Sequence, residues 1–131
     1  MPQLAKGGKW VFGWVTVAAD RSIVVPGQAW EEYGFAPGAA ALLLRGSTTS
    51  GGFALGSEKR MPARLLGRAL GATVFEPGFR VRLPEAVAVH PTQRLLAVRG
   101  SGHALSLLTQ GPIYELAETH RLTVNTQASD P

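Results

Sequence analysis

The sequence repeats itself. The stretch from Arg21 to Leu55, RSIVVPGQAWEEYGFAPGAAALLLRGSTTSGGFAL, returns in shortened form further on: Arg-Gly-Ser at 45–47 recurs at 99–101, and Gly-Phe-Ala-Leu at 52–55 recurs as Gly-His-Ala-Leu at 102–105. Four anchors run in the same order. Pro26 matches Pro84, 58 residues on; Arg45 matches Arg99, 54 on; Ala54 matches Ala104 and Pro62 matches Pro112, both 50 on. The offset falls twice, once around Trp30–Gly34 and once in the Thr48–Gly51 loop, and a repeated unit tolerates deletions at such places. Collinear self-similarity is the mark of a repeated supersecondary unit. A chain of 131 residues is then read as one domain made of two packed copies, 10–71 and 72–121, with a mobile basic arm at 1–9 and a polar tail at 122–131.

Within each copy the local signals are those of short strands. Trp10–Ala18 is aromatic and β-branched, and Ser22–Val25 ends at Pro26, which cannot donate to a ladder. Gln28–Gly34 reads as a two-turn helix closed by a left-handed glycine, with Ala29 and Tyr33 on one face. Pro37-Gly38 is a turn, and Ala40–Leu44 is an unbroken apolar strand buried on both sides. Phe53–Leu55 is a further strand. Met61, Leu65, Leu66, Ala69 and Leu70 make an apolar stripe, which predicts a helix over 62–70. A third helix is expected over 112–120, and the tail from Leu122 adds one strand. Trp10, Phe12 and Trp14 alternate and so share a face, as barrel core or as a subunit contact.

Sixteen Gly and nine Pro, with 45% hydrophobic and 17% charged residues, fit a turn-rich globular chain. There are no cysteines, which excludes disulfides and thiolate metal sites and fits a reducing compartment. The N-terminal residues lack the apolar core of a signal peptide, and no apolar run approaches the ~18–20 residues of a membrane span. A cytoplasmic protein that does not enter membranes is expected. The formal charge is +4 and the pI is near 10.1, a balance that favours polyanionic partners.

The pattern Val-Thr-Val, a turn, Ile-Val-Val-Pro, a short helix ending in Tyr-Gly-Phe, then Pro-Gly and an apolar strand resembles the AbrB/SpoVT/MazE family of swapped-hairpin barrels. The likeness covers Trp14–Leu55 well and Thr73–Leu108 less well. It implies a mostly β, pseudo-twofold cradle-loop barrel, swapped-hairpin or double-psi-like, that a single chain with both copies can close. It implies a DNA-binding transcription regulator, with an antitoxin and its toxin partner as one form, and contacts from basic side chains on one barrel face. The chain departs from the family pattern at several positions. Where the family has Gly-Arg it has Arg21-Ser22 and Phe79-Arg80; Trp30 stands where Arg is frequent, and Ala39 where Asp usually follows Pro-Gly.

On this reading the nucleic-acid-binding set is Lys6, Lys9, Arg21, Arg80 and Arg82. Arg21 and Arg80 lie at equivalent turns, and Arg80 and Arg82 share one strand face. Arg45 and Arg99 end equivalent strands before Gly-Ser. They line an anion site with the Gly-Ser amides, or they pair with Glu residues to hold the halves together; the second reading is preferred because repeated residues often serve the repeat itself.

Nothing points to catalysis. Gly46–Gly52 lacks the Gly-Lys-Ser/Thr of a phosphate loop. His90, His103 and His120 show no metal spacing, and Ser47, Ser101 and Ser106 have no nucleophile context. The acidic residues Glu31, Glu32, Glu58, Glu76, Glu85, Glu115 and Glu118 form no acid/base pair. The expectation is a protein that is not an enzyme, with no cofactor, no metal, duplex DNA as partner and a homodimer as one assembly. The alternative is a non-catalytic barrel that binds a protein or a small ligand and has lost DNA binding.

Overall fold

A computed structural model describes residues 3–4, 10–46, 51–100 and 103–120. The strands are β1 (Gln3–Leu4), β2 (Trp10–Thr16), β3 (Ser22–Val24), β4 (Ala40–Arg45), β5 (Phe53–Ser57), β6 (Ala69–Glu76), β7 (Arg80–Arg82), β8 (Arg94–Arg99) and β9 (Leu105–Leu108). The helices are α1 (Gly27–Glu32) and α2 (Pro112–His120), with 3-10 turns at Glu58–Arg60 and Ala63–Arg68. The strands form one antiparallel sheet in the order β1-β2-β8-β9-β5-β4-β6-β7-β3, and the Ala18–Arg21 turn brings β3 back beside β2, so the sheet rolls into a nearly closed barrel. No helix among the described residues is long and apolar enough to cross a membrane.

The pairing registers follow the sequence offsets. Thr16 faces Arg94, Val15 faces Leu95, Trp14 faces Leu96 and Gly13 faces Ala97. Adding 58 to the β2 numbers and removing 54 from the β8 numbers gives Val74–Ala40, Thr73–Ala41, Ala72–Leu42 and Gly71–Leu43, which are the β4–β6 pairs. Both ladders carry a bulge, at Phe12 in β2 and at Leu70 in β6, again 58 apart. Ile23 faces Val81 in the β3–β7 ladder, and Leu55 faces Leu105 in the β5–β9 ladder. In each case a residue faces its own offset image, as a local twofold axis through the ladder requires. These two ladders lie four strands apart around the eight strands from β2 to β3, at opposite poles of the barrel.

The interior is filled from every strand between β2 and β9. Phe53, Phe75, Ile23, Leu43, Leu55, Leu95, Leu105 and Leu107 are fully buried, and α1 closes one end with Ala29, Trp30 and Tyr33. Two smaller apolar clusters sit outside the barrel. Val11, Leu96, Val98 and Leu108 are covered by α2 through Ile113, Tyr114 and Ala117. Leu42, Leu44 and Ala104 are covered by the β5–β6 crossover through Met61 and Leu65.

Several expectations need correction. The stripe over 62–70 does not make an α-helix: it is a 3-10 turn to Arg68, and Ala69 and Leu70 belong to β6. Leu66 is left 48% exposed. The β4 edge recruits this segment, since backbone pairing along a core strand outweighs weak helical propensity. Phe12 and Trp14 do not share a face. The bulge, with Gly13 at φ 150°, turns Phe12 into the barrel while Trp14 stays outside, edge-on to Tyr114 at 5.2 Å. The arm is not wholly unpaired, because Gln3–Leu4 adds to β2. The expected tail strand beyond 122 lies outside the described residues. The helices at 28–34 and 112–120 match α1 and α2, and Gly34 takes the left-handed φ of 69° that ends α1.

Candidate nucleic-acid interface

The β3–β7 pole carries Arg80 and Arg82. They flank the buried Val81, so both side chains point outward, with exposures of 46% and 56%. Neither is independent of carboxylate. Asp20, in the β2–β3 turn, stands 3.7 Å from Arg80 Nη1 and 3.6 Å from Arg82 Nη2. Asp20 Oδ1 also accepts from Ser22, from Oγ at 2.6 Å and from the backbone N at 3.0 Å. These Ser22 hydrogen bonds, then the Arg82 and Arg80 charges, hold the Asp20 carboxyl below its ordinary value of 3.8. A group whose pKa is lower when folded adds stability above its unfolded-state pKa, and loses it as pH falls through the folded value. Acid titration of the denaturation midpoint from about pH 5 down to about pH 2 checks this. Asp20→Asn, which keeps an acceptor for Ser22, is expected to flatten part of that fall. A profile superimposable on the parent chain's would show that Asp20 is not linked to folding.

Arg21 does not join this surface. Its backbone is left-handed at φ 68°, and its guanidinium turns inward. Nη1 donates to the Val89 carbonyl at 2.9 Å, and Nη2 donates to those of Pro84 and Val87 at 2.6 and 2.8 Å. The counterpart of Arg21 is Phe79, 58 residues on, which is left-handed too at φ 64°. Leu83 N donates to the Arg21 carbonyl and Val25 N to the Phe79 carbonyl, at 2.9 and 2.8 Å. The two turns share a backbone, but Arg21 braces the 84–89 segment, whereas Phe79 lies on Trp30 at 5.0 Å. Arg21 and Arg80 are thus one register position apart and face differently. Lys6 and Lys9 lie outside the described residues.

Arg45 and Arg99 end β4 and β8, and they have separate environments. Arg99 makes a two-pronged pair with Glu32 at the end of α1, Nε to Oε2 at 2.7 Å and Nη2 to Oε1 at 2.6 Å. Beside it, Gly100 N donates to the Tyr33 hydroxyl at 3.3 Å, and burial pushes the Tyr33 phenol up. This joins the end of β8 to α1. Arg45 has no such partner among the described residues. The reason is topological: the 84–92 segment corresponding to α1 contains no helix, so no carboxylate is delivered to Arg45.

The densest positive charge lies elsewhere. The crossover Glu58–Arg68 carries Lys59, Arg60, Arg64 and Arg68, all exposed, against the single acid Glu58. Arg68 Nη2 donates to the Arg45 carbonyl at 3.0 Å, which fixes the crossover to the end of β4 beside the Arg45 side chain. Arg60 Nη1 donates to the Tyr33 carbonyl at 3.2 Å. None of these five cations makes an ion pair with a carboxylate among the described residues. Reading 62–70 as a helix by its apolar stripe hid this set; the available signal was four cations in eleven residues. Among the described residues no group of three or more His, Asp or Glu is placed to hold a metal. No family model, no curated protein and no solved structure matches the chain.

Proposed function

We propose that this chain is a DNA-binding barrel of the AbrB type, acting as a transcription regulator, with an antitoxin component as one form, and that its main phosphate-contacting surface is the crossover with Arg45. The observation that carries the reading is the five exposed cations Arg45, Lys59, Arg60, Arg64 and Arg68, free of carboxylate partners among the described residues. Phosphate neutralisation supplies most non-specific affinity, and cations already paired contribute less to it. Arg80 and Arg82 share Asp20 and are secondary. The reading of the chain as two fused copies is supported by the coincidence of sequence offsets, ladder registers and bulge positions.

Fluorescence anisotropy with a short labelled duplex, from low to physiological ionic strength, tests this. Affinity is expected to fall linearly with salt on a logarithmic scale. Arg64→Ala with Arg68→Ala is expected to weaken binding about tenfold and lower the salt slope by about 2, roughly one per lost phosphate contact. Arg80→Ala with Arg82→Ala should lose less. No salt-dependent binding at low ionic strength would overturn the function, and a larger loss from the second pair would return the interface to the β3–β7 pole.

A further inference from the structure

Over the β5–β9 ladder the outer face of the sheet is only partly covered, with Ala54 and Ser106 half-buried. Two segments that follow equivalent strands flank it, the crossover after β5 and α2 after β9, with Pro62 and Pro112 as counterparts. Between them lies a cavity of about 340 Å³. Its floor is Leu44, Ala54, Val98, Ser106 and Leu108, with Ala54 and Ser106 facing each other in register. Leu65 lines it from the crossover side and Ile113 from the α2 side. Arg45, Arg64 and Arg68 also line it, and among the described residues no acidic side chain does.

We propose that this groove is a binding site for a small organic anion, with an apolar body on the floor and an oxyanion head held by the three arginines. The size falls in the range of small-molecule sites, which join an apolar lining to a few placed polar groups. Guanidinium forks suit carboxylate and phosphate alike. Leu44, Val98 and Leu108 are already buried, so the apolar surface open to an occupant is that of the half-buried Ala54, Leu65 and Ile113. A bare inorganic anion would leave it wet, and a hydrocarbon without charge would leave three neighbouring cations uncompensated. Only an amphiphile satisfies both halves of the lining. Ser106 Oγ adds a hydrogen-bonding group on the floor.

The site stands without the DNA reading, and the two meet at one point. Arg45, Arg64 and Arg68 belong to both surfaces, so an occupied groove withdraws them from phosphate and a bound anion weakens duplex binding.

Calorimetric titration of the full chain with sodium octanoate tests the proposal, with octan-1-ol as the probe without charge and inorganic phosphate as the probe without a tail. Octanoate is expected to saturate at one per chain and to bind at least tenfold tighter than either. Arg45→Gln with Arg68→Gln, both exposed, should erase its advantage over octanol, and Ala54→Phe should block the floor. If Ala54→Phe does not fold, the arginine pair decides alone. Methyl shifts on octanoate addition should centre on Leu44, Val98, Leu108 and Ile113. Octanoate binding no tighter than the other probes, unchanged in the arginine variant, or mapped to another face would overturn the site. A chain that takes octanoate but no duplex loses the proposed function and keeps the groove. A chain that binds duplex but shows no preference for octanoate keeps the function and loses the groove.

Discussion

Trp30→Ala is expected to destabilise the fold by about 3–5 kcal/mol, the usual cost of truncating a large buried aromatic side chain. Trp30 is 6% exposed and is enclosed by other rings. Phe35 and Phe75 meet it edge-on at 5.7 and 5.4 Å, and Phe79 lies tilted over it at 5.0 Å. Such pairs add roughly 0.5–1.5 kcal/mol each beyond area burial. The loss would take a large share of a domain stability of about 5–15 kcal/mol. Trp30→Phe should recover a substantial part, since a ring still fills the space. Urea denaturation of the three proteins measures this; a Trp30→Ala loss below about 1 kcal/mol would mean that α1 is not part of the core. The position where the resembled family often has Arg is here a packing site, so this departure is absorbed by the interior and does not signal a changed surface.

Arg21→Ala is expected to cost about 2–3 kcal/mol, by removing charged donors from three backbone carbonyls. Those of Pro84 and Val87 keep a local backbone bond, from Val87 N at 3.0 Å and Val89 N at 2.9 Å, so the loss falls hardest on that of Val89. The carbonyls of Pro84, Val87 and Val89 all accept from this one guanidinium. They lie in the segment that lacks a helix, where no regular ladder holds the backbone in place. Arg21→Lys should restore little, because a point ammonium cannot span three acceptors as a planar fork does. Arg21→Gly should be more stable than Arg21→Ala by about 1 kcal/mol, since glycine adopts the left-handed φ of 68° without strain. Thermal and chemical denaturation, read beside anisotropy on the folded protein, separate the roles. Lower stability with unchanged duplex affinity marks a brace, whereas unchanged stability with lost affinity would make Arg21 a contact residue.

Much of the barrel was legible because its strands are written in local chemistry. Ser22–Val24 stops before Pro26, Ala40–Arg45 is an apolar run, and Gly34 and Gly38 sit where a positive φ is needed. The sequence offsets carried more than any propensity, for the β2–β8 and β4–β6 registers keep them. What failed depended on partners distant in sequence. Ala69 and Leu70 look helical until β4 offers its edge. Phe12 and Trp14 look coplanar until the bulge at Gly13 separates them. Nothing local announces that Arg21, outside a glycine, turns left-handed and inward. The candidate surface was hidden for a similar reason: Arg45 and Arg68 are 23 residues apart and meet only because the crossover folds back along β4.

One helix has no counterpart. Arg99 is paired with Glu32 of α1, while Arg45, at the end of β4, has no carboxylate partner among the described residues. An assembly of two identical chains would have to present the same potential on both flanks. Within this one chain the two strand ends are electrically unlike. Whatever spans the two flanks therefore meets unlike halves.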